Sequence, residues 1–324
     1  MYRLTISTYN MLATGLDQYH RNIKDKIISS DQRVTKVIED TADLVNKSDI
    51  VCLQEVCDNI YSGLNKTINH KKYSILREQY GNVWNNYMGI CIVYDHDQLS
   101  VTDYRSFRPS DFIDFSKEIN KLEKSRPKYT FIEHILYYIF KDYHKEENKL
   151  IDNKINICNT IKRRWNKVML AKFTTNGEID ENNQDIWVCN IHMPCIYQQE
   201  YDEYINKYID VVKSIIEETA GNDTVFFCGD FNFTPDSNKY KELLNKNNKK
   251  QEYYDYTRNI NVSTRALTNM NDGLIFRDKL DYIFCNKVIE NISTEALYDD
   301  AKQWCIPNEN SGSDHLAIIA SFHL

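Results

Sequence analysis

Six short clusters in this sequence combine residue types that can act on a phosphate ester, and the densest is Gly229-Asp230-Phe231-Asn232. A buried-looking run, Thr224 to Cys228, leads into it. In an extended segment alternate residues share a face, so Asp230 and Asn232 are expected to point into one site. There Asp230 can orient and deprotonate a water, and Asn232 can hydrogen-bond a phosphoryl oxygen. An Asp/Asn turn ahead of Pro235 is the structural alternative.

The other clusters are weaker singly. Asn10, in Tyr9-Asn10-Met11-Leu12, offers an amide that can touch a phosphate oxygen or orient a metal ligand; a plain turn residue is the alternative. Gln54-Glu55 ends the apolar run Ile50-Val51-Cys52-Leu53, and a carboxylate is the ligand magnesium prefers. A Glu at a helix N-terminus, favoured by the macrodipole, explains the same residue equally well. His192, closing Asn190-Ile191-His192, can donate to a phosphate or serve as a satisfied structural group. Asp281, in Leu280-Asp281-Tyr282, enters an apolar run and would be costly unpaired. Ser313-Asp314-His315 supplies its natural partner: Asp281 is expected to orient His315, which would stabilise a charged phosphoryl transition state, with Asp314 in support.

Each cluster lies at the end of an expected strand, where ligand sites of α/β proteins gather. Strands are expected at Leu4 to Tyr9, Ile50 to Leu53, Gly89 to Tyr94, Val168 to Phe173, Ile186 to Ile191, Thr224 to Cys228, Tyr282 to Cys285 and His315 to Phe322. Asn176-Gly177 marks a turn between the fourth and fifth. Asp31 is positioned to cap a helix that buries Val34, Val37, Ile38, Ala42, Leu44 and Val45. A second helical stripe runs through Tyr201, Tyr204, Ile205, Tyr208, Val211, Val212 and Ile215. Residues 105–164 break the rhythm; they are charged, Tyr-rich and helical in pattern, and read as an insertion that caps the site or decorates the surface. The chain is otherwise expected to be one domain over residues 1–324. Asn245 to Lys250 reads as a polar loop.

Bulk properties narrow the field. With a net charge of −7 the chain is unsuited to coating duplex nucleic acid through its phosphates, which calls for a basic surface. Its nine cysteines include no C-x-x-C pair. Cys52, Cys91, Cys189, Cys228 and Cys285 fall in apolar runs and read as small buried hydrophobes, which argues against a disulfide framework or a zinc site. No signal-peptide core precedes Leu4, and the apolar stretch Phe131 to Phe140 is too short to span a membrane. The expectation is an intracellular protein, cytoplasmic in preference to nuclear.

Taken in order, Asn10, Gln54-Glu55, Asn190 to His192, Gly229 to Asn232, Leu280-Asp281-Tyr282 and Ser313-Asp314-His315 resemble the motif series of the endonuclease/exonuclease/phosphatase superfamily. The resemblance runs from residue 5 to residue 322, with 105–164 matching poorly. It implies a four-layered α/β sandwich, two mixed sheets face to face with helices outside. It implies Glu55 as the main magnesium ligand with Asn10 close by, manganese being the other candidate ion. It implies Asp230 and Asn232 at the water and phosphate, and an Asp281–His315 pair.

Within the superfamily, Tyr9-Asn10-Met11-Leu12, Val168-Met169-Leu170, Asn190-Ile191-His192 and Gly229 through Ser237 are similar to the deadenylase and nocturnin-like branch. That branch acts on RNA 3′ tails or on phosphates of nucleotide cofactors, so RNA is the expected partner in preference to DNA. Met193-Pro194-Cys195 departs from its pattern. The competing readings are an abasic-site or other DNA endonuclease, an inositol phosphatase, a sphingomyelinase-like lipid phosphodiesterase, and a scaffold that has kept the fold without the chemistry. Finally, Lys162-Arg163-Arg164-Trp165-Asn166-Lys167 interleaves cations with an aromatic, a composition that can hold a phosphate and stack a base or simply end the insertion. Asn190, Arg164 and Asn166 are the candidate substrate contacts.

Overall fold

β2 (Ile50–Gln54) shows why this chain needs layers. All five of its residues are buried. Ile50 and Cys52 enter one apolar cluster, Val51 and Leu53 another, as the two-residue period of a strand requires. A strand with no polar face must be covered on both sides.

The computed structural model describes residues 2–16, 29–127, 145–176, 185–195, 202–244, 252–260, 264–268, 275–297 and 311–324. Two mixed six-stranded sheets pack face to face. The first has the order β13 (Glu290–Ala296), β14 (Ile318–His323), β1 (Arg3–Asn10), β2, β4 (Gly89–Asp95), β3 (Tyr73–Gln79). The second has the order β5 (Leu99–Phe107), β6 (Val168–Thr175), β7 (Ile186–His192), β8 (Thr224–Asp230), β12 (Asp281–Cys285), β9 (Tyr254–Asp255). A separate hairpin joins β10 (Arg265–Thr268) to β11 (Ile275–Asp278).

Leu4, Ile6, Ile92, Met169, Val188, Phe226, Ile283 and Phe322 fill the space between the sheets. On the outer face of the first sheet, α1 (Ser30–Lys47) and α2 (Asp58–Thr67) set Val37, Leu44, Ile60 and Leu64 against Val51, Leu53 and Val93. On the outer face of the second, α4 (Lys145–Lys162) and α5 (Asp202–Ala220) set Ile157, Ile161, Tyr208 and Val212 against Leu170, Cys189 and Phe227. Two shorter helices, α3 (Phe115–Lys124) and α6 (Asn238–Leu244), complete the four-layered α/β sandwich. Cys52, Cys91, Cys189, Cys228 and Cys285 are buried and free. Among the described residues no helix is long and apolar enough to cross a membrane.

Several local expectations are corrected. The cap of α1 is Ser29, which exchanges hydrogen bonds with Gln32 in a capping box; Asp31 lies inside the first turn, where its charge suits the helix dipole. The buried face of α5 is centred on Ile205, Tyr208, Ile209, Val212 and Ile216. The segment starting at Arg105 opens in a strand, because β5 runs to Phe107 and pairs directly with β6. The excursion between them carries α3 and α4. β3, β5 and β13 were not foreseen; β13 is mostly exposed and has no apolar alternation to reveal it. Phe131 to Phe140, Gly177, Tyr201 and Asn245 to Lys250 lie outside the described residues.

Strand direction decides what reaches one end of the sandwich. β1 and β2 are parallel, as are β7 and β8, so these four present their C-terminal ends there. β12 runs antiparallel to β8, and β14 antiparallel to β1. They bring their N-terminal ends to the same place. The site is therefore not built from strand C-termini alone, since Asp281 opens β12 and His315 precedes β14.

Candidate active site

The clusters meet where the two sheets meet. Asp230, the last residue of β8, lies opposite His192 of β7 and Asp281 of β12. That pairing depends on Gly229, whose φ is +144° and where a Cβ would stand 1.9 Å from the Ile191 carbonyl oxygen. No side chain fits between β7 and β8 at this level.

Asn10 is the hub between the sheets. Its Nδ2 donates to Glu55 Oε1 at 3.1 Å and to Asp230 Oδ2 at 2.9 Å. Its Oδ1 accepts from the Leu12 amide at 3.0 Å. Two carboxylate oxygens can be faced only by the NH₂ side of an amide, so this orientation is forced. Asn10 thus bridges the two carboxylates across the sheets. Glu55 has φ +58°, a left-handed conformation that costs an ordinary residue roughly 1–3 kcal/mol. Its Oε2 accepts from the Ala13 amide at 2.8 Å. A strained, buried and doubly bonded Glu is not the helix-terminal residue of the bland reading; α2 starts three residues later, at Asp58.

Two histidines aim at Asp230. His192 Nε2 lies 3.7 Å from Asp230 Oδ2 and 3.7 Å from Glu55 Oε1. Its Nδ1 is 2.6 Å from the hydroxyl of Tyr80, just beyond β3. Burial, then the charge of Glu55, holds the Tyr80 phenol well above its ordinary range, so the hydroxyl keeps its proton. With that hydroxyl donating, Nδ1 accepts and the imidazole hydrogen is assigned to Nε2, facing the carboxylates.

His315 is held differently. Its Nδ1 is 2.8 Å from Asp281 Oδ2, and its Nε2 is 3.8 Å from Asp230 Oδ2 and 3.9 Å from Asp314 Oδ1. Burial opposes a charged ring, but Asp281, Asp314 and Asp230 outweigh it and push the imidazole up to about 10. Burial likewise pushes the Asp281 carboxyl up, against the pull of His315. Backbone anchors fix the pair: Thr264 Oγ1 accepts from the amides of Leu280 and Asp281, and Ser313 Oγ accepts from the amide of His315 while donating to the Asn10 carbonyl.

Asn232 reaches the site by a route other than strand alternation. β8 ends at Asp230, and Asn232 is left-handed with φ +50°. Its amide donates to Asp230 Oδ1 at 2.9 Å, and its Nδ2 to the Met193 carbonyl at 2.9 Å. The turn of the structural alternative is present and brings the functional side chain in, because Asn tolerates this conformation.

Two expected substrate contacts are corrected. Asn190 is fully buried; its Nδ2 donates to the carbonyls of Leu53 and Cys91, and its Oδ1 accepts from Gln54 Nε2 at 2.8 Å. It stitches the sheets together and has no N–H left for a ligand. The Asn166 side chain donates to the His192 carbonyl at 2.9 Å, and its own carbonyl accepts from Tyr208, so it positions the histidine strand. Arg164 is half-buried, with its carbonyl held by Ser110. Tyr80 and Gln54 are the site residues the sequence left without a role. Tyr80 follows a strand whose signal was too weak to place it, and Gln54 stood out only as the neighbour of Glu55.

The donor set suits a hard cation. Among the described residues, Glu55, Asp230 and Asp281 have no Lys or Arg ion-pair partner, and the basic side chains beside them are histidines. Asp230, Asp281 and His315 also place ligand atoms within 4.8 Å of one another. Buried carboxylate oxygens in excess of nearby cations are what magnesium or manganese neutralises.

An α/β sandwich with carboxylates and paired histidines at one end defines a class of enzymes acting on phosphate esters. Residues 7–315 match the model of the Endonuclease/Exonuclease/phosphatase family, and the chain belongs to that family. It is a hydrolase of phosphodiester or phosphate bonds. Similar solved structures include the human Nocturnin catalytic domain with bound sulfate, at TM-score 0.60 and 13% identity, covering 99% of this chain and 94% of that one. ANGEL2, a 2′,3′-cyclic phosphatase, in complex with adenosine-2′,3′-vanadate, gives TM-score 0.66 and 14% identity, covering 99% and 95%. D. rerio TDP2 complexed with a single-strand DNA product gives TM-score 0.60 and 14% identity, covering 100% of both chains. No curated protein sequence matches.

Proposed function

We propose that this protein is a magnesium-dependent hydrolase of phosphodiester bonds that acts on RNA 3′ ends, in the manner of a deadenylase, or on nucleotide phosphates. The observation that carries the reading is the convergence on Asp230 Oδ2 of Asn10 Nδ2 at 2.9 Å, His192 Nε2 at 3.7 Å and His315 Nε2 at 3.8 Å. The two histidine separations are too long for direct hydrogen bonds, so the Nε2 atoms stay free to donate to oxygens of a water or phosphoryl group beside Asp230.

Asp230 orients the attacking water and takes its proton. His315, kept cationic by Asp281, donates from Nε2 to a phosphoryl oxygen as charge develops there. His192, its hydrogen on Nε2, donates to a second oxygen. The second N–H of Asn232, whose first is fixed on Met193, is the further donor for the phosphoryl group. Glu55, with Asp230 and Asp314 near, would hold magnesium, which when bound polarises the phosphoryl group and lowers the pKa of water.

The test is a cleavage panel with purified protein and magnesium: 5′-labelled RNA with an oligo(A) tail, RNA ending in a 2′,3′-cyclic phosphate, single-stranded DNA, abasic duplex DNA, NADPH, a phosphoinositide and sphingomyelin. Stepwise shortening of the RNA or release of phosphate from NADPH, abolished by chelator and by Glu55→Gln, supports the reading. Cleavage of only the abasic duplex or a lipid would overturn it.

A further inference from the structure

Trp165 is 62% exposed, an uncommon state for so large an apolar side chain. It is not on a loose loop. The carbonyl of Arg164 before it accepts from Ser110, and Asn166 after it is bonded through both its side chain and its carbonyl. The Arg108 guanidinium lies over the indole, 5.3 Å from the ring centroid. Arg108 is itself held by Asp111, its Nε donating at 2.8 Å. One face of the indole is thus backed by a cation, and the exposure belongs to the rest of the ring.

Asp111 answers the charge of Arg108, and three further cations precede Trp165 in the chain. Lys162 closes α4, where the carbonyl end of a helix favours a cation, but Arg163 and Arg164 lie beyond it. None of the three has a carboxylate ion-pair partner among the described residues, in a chain whose net charge is −7. The segment lies at the end of the second sheet that carries His192. Asn166, next to Trp165, bonds the His192 carbonyl at 2.9 Å, and Val168 pairs with Ile191.

We propose that Trp165, backed by Arg108 and flanked by Arg163 and Arg164, is a stacking platform for an unpaired base of single-stranded nucleic acid entering the site. The inference rests on the phosphodiesterase reading and adds to it how the strand is held. A pinned, exposed aromatic offers its π-face to any base, and unpartnered arginines take the adjoining phosphates. A duplex, whose base faces are already stacked, gains nothing from the indole.

The experiment measures fluorescence anisotropy of a labelled single-stranded RNA and of a matching duplex, with the full-length protein in EDTA and intact RNA verified afterwards. Trp165→Ala is expected to weaken single-strand binding about tenfold, the loss of one stacked base, and to leave duplex binding unchanged. Trp165→Phe, which keeps a π-face, recovers most of the loss and excludes misfolding as its cause. Arg163→Ala weakens both ligands and flattens the salt dependence. Equal affinity of wild type and Trp165→Ala for the single strand overturns the inference, as does an equal loss on both ligands. Magnesium-dependent hydrolysis of bis(p-nitrophenyl) phosphate separates the two claims. Turnover of that ester with no binding of single strand defeats the platform alone; Trp165-dependent binding with no turnover defeats the catalytic reading alone.

Discussion

His192 and His315 face the same oxygen of Asp230 at nearly equal distance, yet the molecule prepares them differently. His192 is oriented by a phenol and His315 by a buried carboxylate, both across the boundary between the sheets. His192 is carried by the second sheet and Tyr80 by the first; Asp281 is carried by the second sheet and His315 precedes a strand of the first. Tyr80 offers His192 an uncharged hydroxyl, whereas Asp281, with Asp314 and Asp230 nearby, fixes His315 as a cation. One constellation thus offers two grades of electrostatic help. Both are held by hydrogen bonds that exist only when the sheets are docked.

The sharpest way to break this contrast is Asp281→Asn. It removes the charge that keeps His315 cationic and unsettles its tautomer, and is expected to lower kcat on a phosphodiester about 10³-fold. Steady-state kinetics at saturating substrate would check it. Asn190→Ala comes next and acts on the fold. It leaves Gln54 and two carbonyls without their buried partner and is expected to cost about 3 kcal/mol in urea unfolding, with KM of the folded enzyme unchanged. A raised KM at unaltered stability would restore Asn190 as a substrate contact. Tyr80→Phe should be milder, about a tenfold loss of kcat, because one hydrogen bond from an uncharged hydroxyl is removed and packing is kept. Losses of the same size for Tyr80→Phe and Asp281→Asn would erase the distinction between the histidines.

The smallest and most specific effect is on stability against pH in the metal-free protein. The His315 ring is raised in the fold from an ordinary 6.5 to about 10. The stabilisation it brings is complete below pH about 6.5 and is lost as pH rises through about 10. Chemical unfolding in EDTA should show wild type weakening across that window. Asp281→Asn should show less of this loss.

Much of the site was legible because its chemistry is local in sequence. Glu55, Asp230 and His315 each close or precede a strongly patterned apolar segment, and the Asp281–His315 pair followed from the cost of burying a lone carboxylate. What sequence could not convey was direction and register. Antiparallel β12 and β14 bring their starting ends to a site expected at strand ends. Asn232 enters by a left-handed turn and not by alternation. Asn190 was drawn toward the substrate by its neighbour His192, yet alternate strand residues can sit in a dry sheet interface where an amide's only partners are carbonyls and another amide. Tyr80 was hidden because β3 lies at a sheet edge with mixed burial, where apolar periodicity fades.

Asp230 is the group on which Asn10, His192 and His315 converge. The measurement is the magnesium-dependent rate of hydrolysis of bis(p-nitrophenyl) phosphate by wild type and Asp230→Asn, which keeps the size of the side chain and an oxygen for Asn10. A fall in kcat of about 10³-fold or more, with folding intact by circular dichroism, is the predicted result. A variant that retains the wild-type rate would contradict the account, because the water would then be activated somewhere other than where the two histidines converge.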